Sequence, residues 1–178
     1  MEIKLQKPRN AGDWLRLYLL YLEAFPPSER KPFAVIRNMY RQGKADVWCI
    51  LGAGKFVGMA TTVNGNDLIL IDYFAVTVKY RRQGIGSGAI ACLLSLYGHK
   101  GVFLEIESTQ TPGPEAELRQ KRKEFYISCG LKPLDVKAKV FGVPMELLGI
   151  RCKMNYADYY TFYRENMGPW TADHLEEI

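Results

Sequence analysis

The sequence predicts an α+β fold in which a mixed, mostly antiparallel sheet is flanked by helices. Residues 46–78 are rich in β-branched and aromatic side chains and contain the turns "GAG" and "NGN", which are typical of hairpins. Segments with helical spacing of apolar residues stand before this run and again after it, where they alternate with further strands. The 178 residues suit one domain, 1–178, without a linker.

The segment before the hairpin run predicts one strand and two helices. Pro26 and Pro27 separate the two helices, because proline ends a helix. Gly43 suits the turn that closes the second helix. The predicted elements are a strand at 3–6, a helix capped by Asp13 that continues to Phe25, and a helix at 33–42.

The run 46–78 predicts an antiparallel meander of three strands, and helices and strands alternate after it. Glu115 and Glu117 fall in the first turn of one later helix and basic residues follow them, which matches the helix dipole. The elements predicted there are a helix at 85–97, a strand at 101–108, a helix at 114–129 ended by Gly130, strands at 137–143 and 145–154, a short aromatic helix at 156–166, and a tail.

The composition is that of a soluble globular protein, with 48% hydrophobic and 24% charged residues. The net charge of +5 mildly favours an anionic ligand or partner and does not by itself indicate nucleic acid. The four cysteines form no C-x-x-C pair, so we expect neither a metal site nor a redox motif. They are expected to be reduced core residues of a cytoplasmic protein.

No membrane association is predicted. The N-terminus lacks the pattern of a signal peptide. The longest apolar stretch, 15–25, contains Arg16 and Glu23, and it is too short and too charged to span a bilayer. These features also favour a cytoplasmic location.

The stretch "YRRQGIGSG", residues 80–88, lies between a predicted strand and a predicted helix. Unpaired N–H groups at a helix N-terminus, together with the helix dipole, bind anions, and glycine lets the backbone approach a phosphate closely. Arg81 and Arg82 add charged donors. The alternative interpretation is a plain strand-to-helix turn with an exposed arginine pair.

A dinucleotide-binding motif is a competing hypothesis for the same glycines. Gly84, Gly86 and Ala89 fit G-x-G-x-x-G/A, and Glu105 follows at about the 20-residue spacing that this motif shows. A domain of that kind begins with the motif and continues with alternating strands and helices, whereas here the motif follows a hairpin meander. The context therefore disfavours a dinucleotide-binding oxidoreductase.

The run "FAVTVKYRRQGIGSGAI" resembles motif A of the GNAT N-acetyltransferase superfamily, in which V-x-V near a strand end is followed by R/Q-x-x-G-x-G/A. The residues in these places are Val76, Val78, Arg81, Gly84 and Gly86. Downstream, "EFYISCGL" at 124–131 resembles the family's F-Y-x-x-x-G-F segment, with leucine in place of the final aromatic residue. The predicted order of elements also agrees with this family.

The resemblance implies acetyl-CoA, or another acyl-CoA, as the donor. In the family, the pyrophosphate lies on the amides of the glycine loop, and the pantetheine arm pairs like an added strand with the strand before it. The resemblance places the pyrophosphate on Arg82, Gln83, Gly84, Ile85, Gly86 and Ser87, with Arg81 and Gly88 beside them. It places the pantetheine arm on the backbone of Phe74, Val76 and Val78.

Tyr126 is the candidate acid. Transfer to an amine needs a base for the ammonium and an acid for the departing thiolate, and by resemblance Tyr126 is the family's tyrosine at the thiolate. The predicted buried face of its helix consists of Leu118, Arg122, Phe125 and Cys129. Tyr126 lies next to this face, so its polar tip is expected at the edge of the core. The alternative is a core tyrosine with a satisfied hydroxyl.

Asp72 is the candidate base, and it is the only charged residue in 68–78. Strand alternation from Leu68 to Val78 places it on a face of apolar residues, where a carboxylate is unfavourable unless it is paired or hydrated. It also stands where many family members carry a carboxylate that acts as base, usually through water. The alternatives are an ion pair or a bulge, and Glu105 and Glu107 are weaker candidates.

Two segments depart from the family pattern or allow two interpretations. The segment after the fifth strand, "STQTPGP", lacks the asparagine common in the family, and Ser108 or Thr109 would have to replace it. The basic cluster at 119–125 suits a solvated helix face better than a contact with a CoA phosphate.

The acceptor site is the least determined part. Glu23, Glu29 and Arg30 lie near the break between the first two helices, where the family usually binds the acceptor, and an acid there would suit a cationic amine. The tyrosine-rich segment 156–163 is expected to pack against the core, with an acceptor wall or a dimer contact as alternatives.

The sequence therefore predicts an enzyme that moves an acetyl group from acetyl-CoA to a primary amine by direct, ternary-complex transfer. No cysteine lies in a setting that suggests an acyl-enzyme. A small-molecule amine is preferred over a protein N-terminus as acceptor, no nucleic acid is expected, and a homodimer is left open. The alternative functions are a non-catalytic acyl-CoA sensor and, less favoured, a dinucleotide-binding oxidoreductase.

Overall fold

Residues 2–178, the part of the chain that the computed structural model describes, form eight strands and six α-helices. The strands are β1 (Ile3–Gln6), β2 (Ala45–Gly52), β3 (Lys55–Asn64), β4 (Leu68–Val76), β5 (Gly101–Glu107), β6 (Lys132–Val140), β7 (Val143–Ile150) and β8 (Leu175–Glu177). The helices are α1 (Ala11–Ala24), α2 (Phe33–Arg41), α3 (Ile85–Leu96), α4 (Ala116–Ser128), α5 (Tyr156–Asn166) and α6 (Pro169–Ala172). The α+β prediction, with a mostly antiparallel sheet flanked by helices, is confirmed.

The chain divides into two compact units. The first consists of the chain up to Asn64 together with Ile71–Gly98, and the second consists of Gly65–Leu70 and His99–Ile178. Strand β4 contributes its first residues to the second unit and the remainder to the first. The expectation of a single domain over 1–178 stays a prediction.

The first unit contains the predicted meander, and its strands follow the order β1, β2, β3, β4. Helices α1 and α2 cover one face of this sheet. The core there combines three helical residues, Leu17, Leu20 and Tyr21, with strand residues such as Tyr73 and Ala75. Burying large apolar and aromatic side chains of this kind is the main source of stability.

The start of α1 corrects one expectation. The cap is Asn10 rather than Asp13: the Asn10 side chain accepts a hydrogen bond from the Asp13 amide at 3.0 Å. The Asp13 carboxylate accepts from the Arg9 amide at 2.9 Å. Asp13 therefore supports the helix start from the third helical position, which explains why an acidic residue at that place was mistaken for the cap.

The second unit contains β5, β7, β6 and β8 in that spatial order, with β7 antiparallel to both β5 and β6. Strand β6 starts at Lys132, earlier than the predicted 137, and an irregularity between Pro133 and Lys137 interrupts its pairing. The predicted tail contains α6 and β8. Strand β8 pairs with β6, and such a short edge strand depends on its partner rather than on its own sequence.

Helix α4 presents a different face to the core from the one predicted. Leu118, expected to be buried, is 53% exposed, and Arg122 is exposed as well. The buried residues are Arg119 and Tyr126. The expectation was wrong for Leu118 and Arg122, whereas Phe125 and Cys129 are half-buried. Arg119 points inward instead, where it pairs with Glu107 and donates to the Thr111 carbonyl.

Candidate functional site

The glycine loop follows the predicted course from strand to helix. Strand β4 ends at Val76, a 3-10 turn occupies Val78–Tyr80, and α3 begins at Ile85. Arg82 and Gly84 have left-handed backbone angles, with φ of 60° and 75°. Gly84 is the N-cap of α3, and a Cβ there would meet no atom within 4 Å. Glycine is favoured at this position because of its φ, not because space is short.

Within residues 2–178, the N-terminus of α3 has no side-chain cap, which makes it a candidate anion site. Because the first amides of a helix have no intrahelical acceptor, those of Ile85, Gly86 and Ser87 are available to a ligand. The amide of Gly88 differs, because it donates to the Gly84 carbonyl at 3.0 Å.

Gly88 has a packing role in this helix. A Cβ on Gly88 would lie 3.0 Å from Cγ1 of Ile3, which is tighter than ordinary van der Waals contact. The small residue therefore lets α3 approach β1. The loop motif thus combines a conformational glycine, Gly84, with a packing glycine, Gly88.

Two loop side chains bond to the backbone nearby. Arg81 donates from Nε to the Val76 carbonyl at 3.0 Å, and Gln83 donates from Nε2 to the Lys79 carbonyl at 3.0 Å. Both contacts fix the shape of the loop. Arg81 and Arg82 are both exposed, so the charges of both arginines lie at the surface of the loop.

Val78 does not continue β4. It begins the 3-10 turn and is 61% exposed, so the expected alternation is wrong at this residue. The Thr77 amide donates to the Val57 carbonyl of β3 at 2.9 Å. Since the backbone groups of successive strand residues point to opposite sides, those of Phe74 and Val76 point away from β3.

Asp72 is half-buried and pairs with Lys31. The Lys31 ammonium lies 2.8 Å from each carboxylate oxygen. Asp72 alternates along β4 with the core residues Tyr73 and Ala75, and shares the half-buried face with Phe74 and Val76. The structure therefore shows Asp72 in an ion pair, which was one of the alternatives to its role as base. Asp72 lies on the same face of β4 as Phe74 and Val76, the residues expected to bind the pantetheine arm.

Lys31 belongs to a segment that two buried tyrosines hold in place. The Tyr21 hydroxyl donates to the Lys31 carbonyl at 2.9 Å. The Tyr73 hydroxyl accepts from the Lys31 amide at 3.1 Å and donates to the Glu29 carbonyl at 2.9 Å. Burial and the charge of Asp72 raise the pKa of Tyr73, so it stays protonated and keeps donating. Sequence analysis missed Lys31, because nothing local identifies its partner on β4.

Tyr126 lies in the second unit, on the inner face of α4, and is 9% exposed. Within residues 2–178, no protein group makes a hydrogen bond to its hydroxyl. Burial raises the pKa of Tyr126 to about 12, with Arg122 acting in the lowering direction and Cys129 in the raising one. The hydroxyl is therefore a protonated donor throughout the neutral range.

The two weaker base candidates are engaged by other side chains of the second unit. The carboxylate of Glu105 accepts hydrogen bonds from the hydroxyls of Tyr159 at 2.5 Å and Tyr163 at 2.6 Å. Glu107 pairs with Arg119 at 3.4 Å. These two hydrogen bonds attach α5, the tyrosine-rich helix, to β5.

Glu146 on β7 organises the segment after β5. It accepts hydrogen bonds from the amide and the hydroxyl of Thr109, both at 2.7 Å, and from the Ser108 hydroxyl at 3.3 Å. It also contacts the ammonium of Lys123. Burial opposes ionisation, but Lys123 and Thr109 together lower the pKa of Glu146 to about 2. Ser108 and Thr109 therefore donate hydrogen bonds to Glu146. The sequence alone did not identify Glu146 as their acceptor.

Neither a metal cluster nor a membrane-spanning helix is found among residues 2–178. These residues contain no group of three or more His, Cys, Asp or Glu side chains arranged to hold a metal ion. None of their helices has the length and apolar character that crossing a bilayer requires.

The order of the elements and the uncapped helix behind a left-handed glycine describe an α+β fold with a candidate anion site after its fourth strand. Residues 14–114 match the family model described as the acetyltransferase (GNAT) family, which is more than half of the chain. The chain therefore belongs to the GNAT family of acetyltransferases. No curated protein matches the sequence significantly.

Solved structures give the same fold. A protein from Bacteroides thetaiotaomicron assigned to the GNAT family has a TM-score of 0.76 at 18% identity, covering 97% of this chain and 99% of its own. A GNAT acetyltransferase from Elizabethkingia anophelis, with acetyl-CoA bound, has a TM-score of 0.60 at 18% identity, covering 85% and 99%. An aminoglycoside 6'-N-acetyltransferase complexed with coenzyme A has a TM-score of 0.65 at 15% identity, covering 84% and 96%.

Proposed function

We propose that this protein is an N-acetyltransferase that moves the acetyl group of acetyl-CoA to a primary amine by direct transfer in a ternary complex. The observation that carries the proposal is the N-terminus of α3, where left-handed Gly84 leads into a helix without a side-chain cap. Acetyl-CoA or CoA is bound in the related structures named above. The acceptor is proposed to be a small molecule, and a cytoplasmic location remains an expectation.

The donor is proposed to lie along β4 and the glycine loop. The amides of Ile85, Gly86 and Ser87 would hold the pyrophosphate, with Arg82 as an additional cation. The pantetheine arm would pair with the backbone of Phe74 and Val76, and it would share the Val76 carbonyl with Arg81, which donates to it at 3.0 Å. Val78 and Gly88 contribute less in this proposal, since one lies beyond the strand and the other uses its amide within the helix.

The proposed chemistry uses one acid and one base. Asp72 accepts a proton from the acceptor ammonium, and the neutral amine attacks the thioester carbonyl. The C–S bond breaks as the C–N bond forms, and the Tyr126 hydroxyl donates a proton to the departing thiolate. The attacking nitrogen loses its second proton as the amide forms, and this proton restores the Tyr126 hydroxyl. Direct transfer is proposed because no cysteine stands in a setting that suggests an acyl-enzyme. Burial raises the pKa of the Cys49 thiol to about 11, which disfavours a thiolate nucleophile at that residue.

The experiment is donor binding followed by turnover. Acetyl-CoA is expected to raise the melting temperature, and Gly86→Glu is expected to abolish the rise by placing a carboxylate in the anion site. Ala157→Glu, at an exposed position in the first turn of α5, is the matched control and should keep the rise. Absence of a shift and of calorimetric binding in the unmodified protein would refute the proposal.

Turnover is then measured as free-thiol release over a panel of amines. Release that depends on the amine supports the enzyme. Donor binding without release for any amine would favour the sensor hypothesis, and binding of NAD(H) in place of acetyl-CoA would favour the oxidoreductase.

A further inference from the structure

The first unit contains an open cavity of about 340 Å³ between α1, α2 and the segment that joins them. Its walls are apolar and aromatic, formed mainly by Tyr18, Tyr21, Leu22 and Phe33 with two prolines. Phe33 packs against both tyrosines, at centroid distances of 5.2 Å for Tyr18 and 5.4 Å for Tyr21. The volume is near the lower end of the range for small-molecule sites. The cavity therefore suits a small ligand with an apolar or aromatic body.

The charged residues that line this cavity are both cations, Arg30 and Lys31. Lys31 is paired with Asp72 at 2.8 Å, so its charge is balanced. The lining therefore carries a net positive charge at Arg30.

This arrangement reverses the expectation from the loop sequence. Glu23 and Glu29 suggested an acid that would attract a cationic amine, but neither of them lines the cavity. A polyamine or an aminoglycoside would bring several positive charges against Arg30, the cation of the lining that Asp72 does not balance, and like charges at short range repel. A carboxylate, in contrast, can form a bidentate pair with an arginine.

The cavity connects to the candidate base through Lys31, which lines the cavity and binds Asp72. The hydroxyls of Tyr21 and Tyr73 bond to the backbone of Glu29 and Lys31, on either side of Arg30, so the backbone that carries the two cations is held in place. An acceptor whose body occupies the cavity would bring its amine toward the end at which Lys31 reaches the carboxylate.

We infer that the acceptor is a small primary amine with an apolar or aromatic body and a carboxylate, in the manner of an aromatic amino acid. Arg30 binds the carboxylate, the aromatic walls bind the body, and the amine faces the Lys31–Asp72 pair. This inference rests on the proposed function, because it gives Asp72 and the cavity one common substrate.

The test compares ligands that differ in one group. Binding of L-phenylalanine, L-phenylalaninamide and spermidine to the full-length protein is measured by calorimetry, with and without saturating CoA. L-Phenylalanine is expected to bind at least about tenfold more tightly than its amide, because only it offers a carboxylate to Arg30. Arg30→Gln should remove this preference. Arg41→Gln, an exposed cation at the end of α2 that does not line the cavity, should retain it.

The outcomes separate this inference from the proposed function. Equal or weaker binding of L-phenylalanine than of its amide, no binding of either, or an unchanged preference in Arg30→Gln would overturn the inference. Thiol release with spermidine but not with L-phenylalanine would overturn it while the acetyltransferase stands. A carboxylate preference that Arg30→Gln removes, without thiol release from any amine, would support the cavity assignment and count against the enzyme.

Discussion

Glu146 allows the most quantitative prediction from this structure. Its side chain is 16% exposed and accepts hydrogen bonds from Thr109 while contacting Lys123. These partners lower its pKa from 4.5 to about 2 against the effect of burial. Because one pKa unit corresponds to about 1.4 kcal/mol, ionised Glu146 contributes on the order of 3 kcal/mol at neutral pH.

The perturbation is Glu146→Gln, which keeps the shape and removes the charge. Since the amide oxygen still accepts part of the hydrogen bonding, we expect a loss of about 2 kcal/mol in the free energy of unfolding at pH 7. For a protein of this size the corresponding fall in Tm is about 4–8 °C. Glu117→Gln, which removes an exposed i,i+4 pair with Lys121, is the control and should leave Tm nearly unchanged.

The pH dependence tests the cause. The folded-state pKa of Glu146 is depressed, so its contribution is present above the unfolded value of 4.5 and is lost as pH falls toward about 2. Urea denaturation between pH 7 and pH 3 should therefore show the two proteins converging in stability as the pH falls. Equal stability at pH 7, or a difference that does not change with pH, would refute the reasoning.

Three further predictions concern the acid, a turn and the loop packing. Tyr126→Phe should lower kcat by about 100-fold, and an unchanged kcat would exclude the acid role. Since the pKa of Tyr126 is about 12, any alkaline loss of activity below pH ~10 should be the same in both proteins. Ala53→Asn should stabilise the protein by about 0.5 kcal/mol in urea denaturation, because exposed Ala53 has a φ of 48°, which asparagine tolerates better; a decrease would contradict this. Gly88→Val should destabilise by about 1–3 kcal/mol by crowding Ile3, and Ile3→Ala should restore part of the loss, whereas purely additive effects would argue against this contact.

Local signals in the sequence were enough to predict the meander of strands and the helix that follows the glycine loop. The strands of 46–78 alternate with turn residues, and the predicted helix at 85–97 differs from α3 by one residue. Both depend on short-range preferences that act within a few residues. Val78 marks the limit of this method, since apolar alternation continued after the strand had ended at Val76.

The partners of the candidate residues could not be predicted, because they lie far away in sequence. Asp72 was identified as an unusual charge in a strand, but its partner Lys31 lies 41 positions earlier. Glu146 gave no signal, since a carboxylate in a strand is usually solvated. Arg119 and Lys123 were read as part of a solvated face, although both reach carboxylates on the sheet. In each case the environment of the charged side chain depends on a partner that only the folded structure brings close.

The two roles considered for Asp72, base and ion-pair partner, predict different results in a double-substitution cycle. Lys31→Met leaves a carboxylate that is 12% exposed without its ammonium, which should cost about 1–3 kcal/mol in unfolding free energy. Adding Asp72→Asn removes the unpaired charge and should recover part of this loss. If Asp72 only stabilises the fold, acetyl transfer should recover together with stability. If Asp72 is the base, the double variant should regain stability in urea denaturation while thiol release remains at the level of Asp72→Asn alone. Recovery of both quantities would remove Asp72 from the proposed chemistry and leave the cavity and the donor loop unaffected.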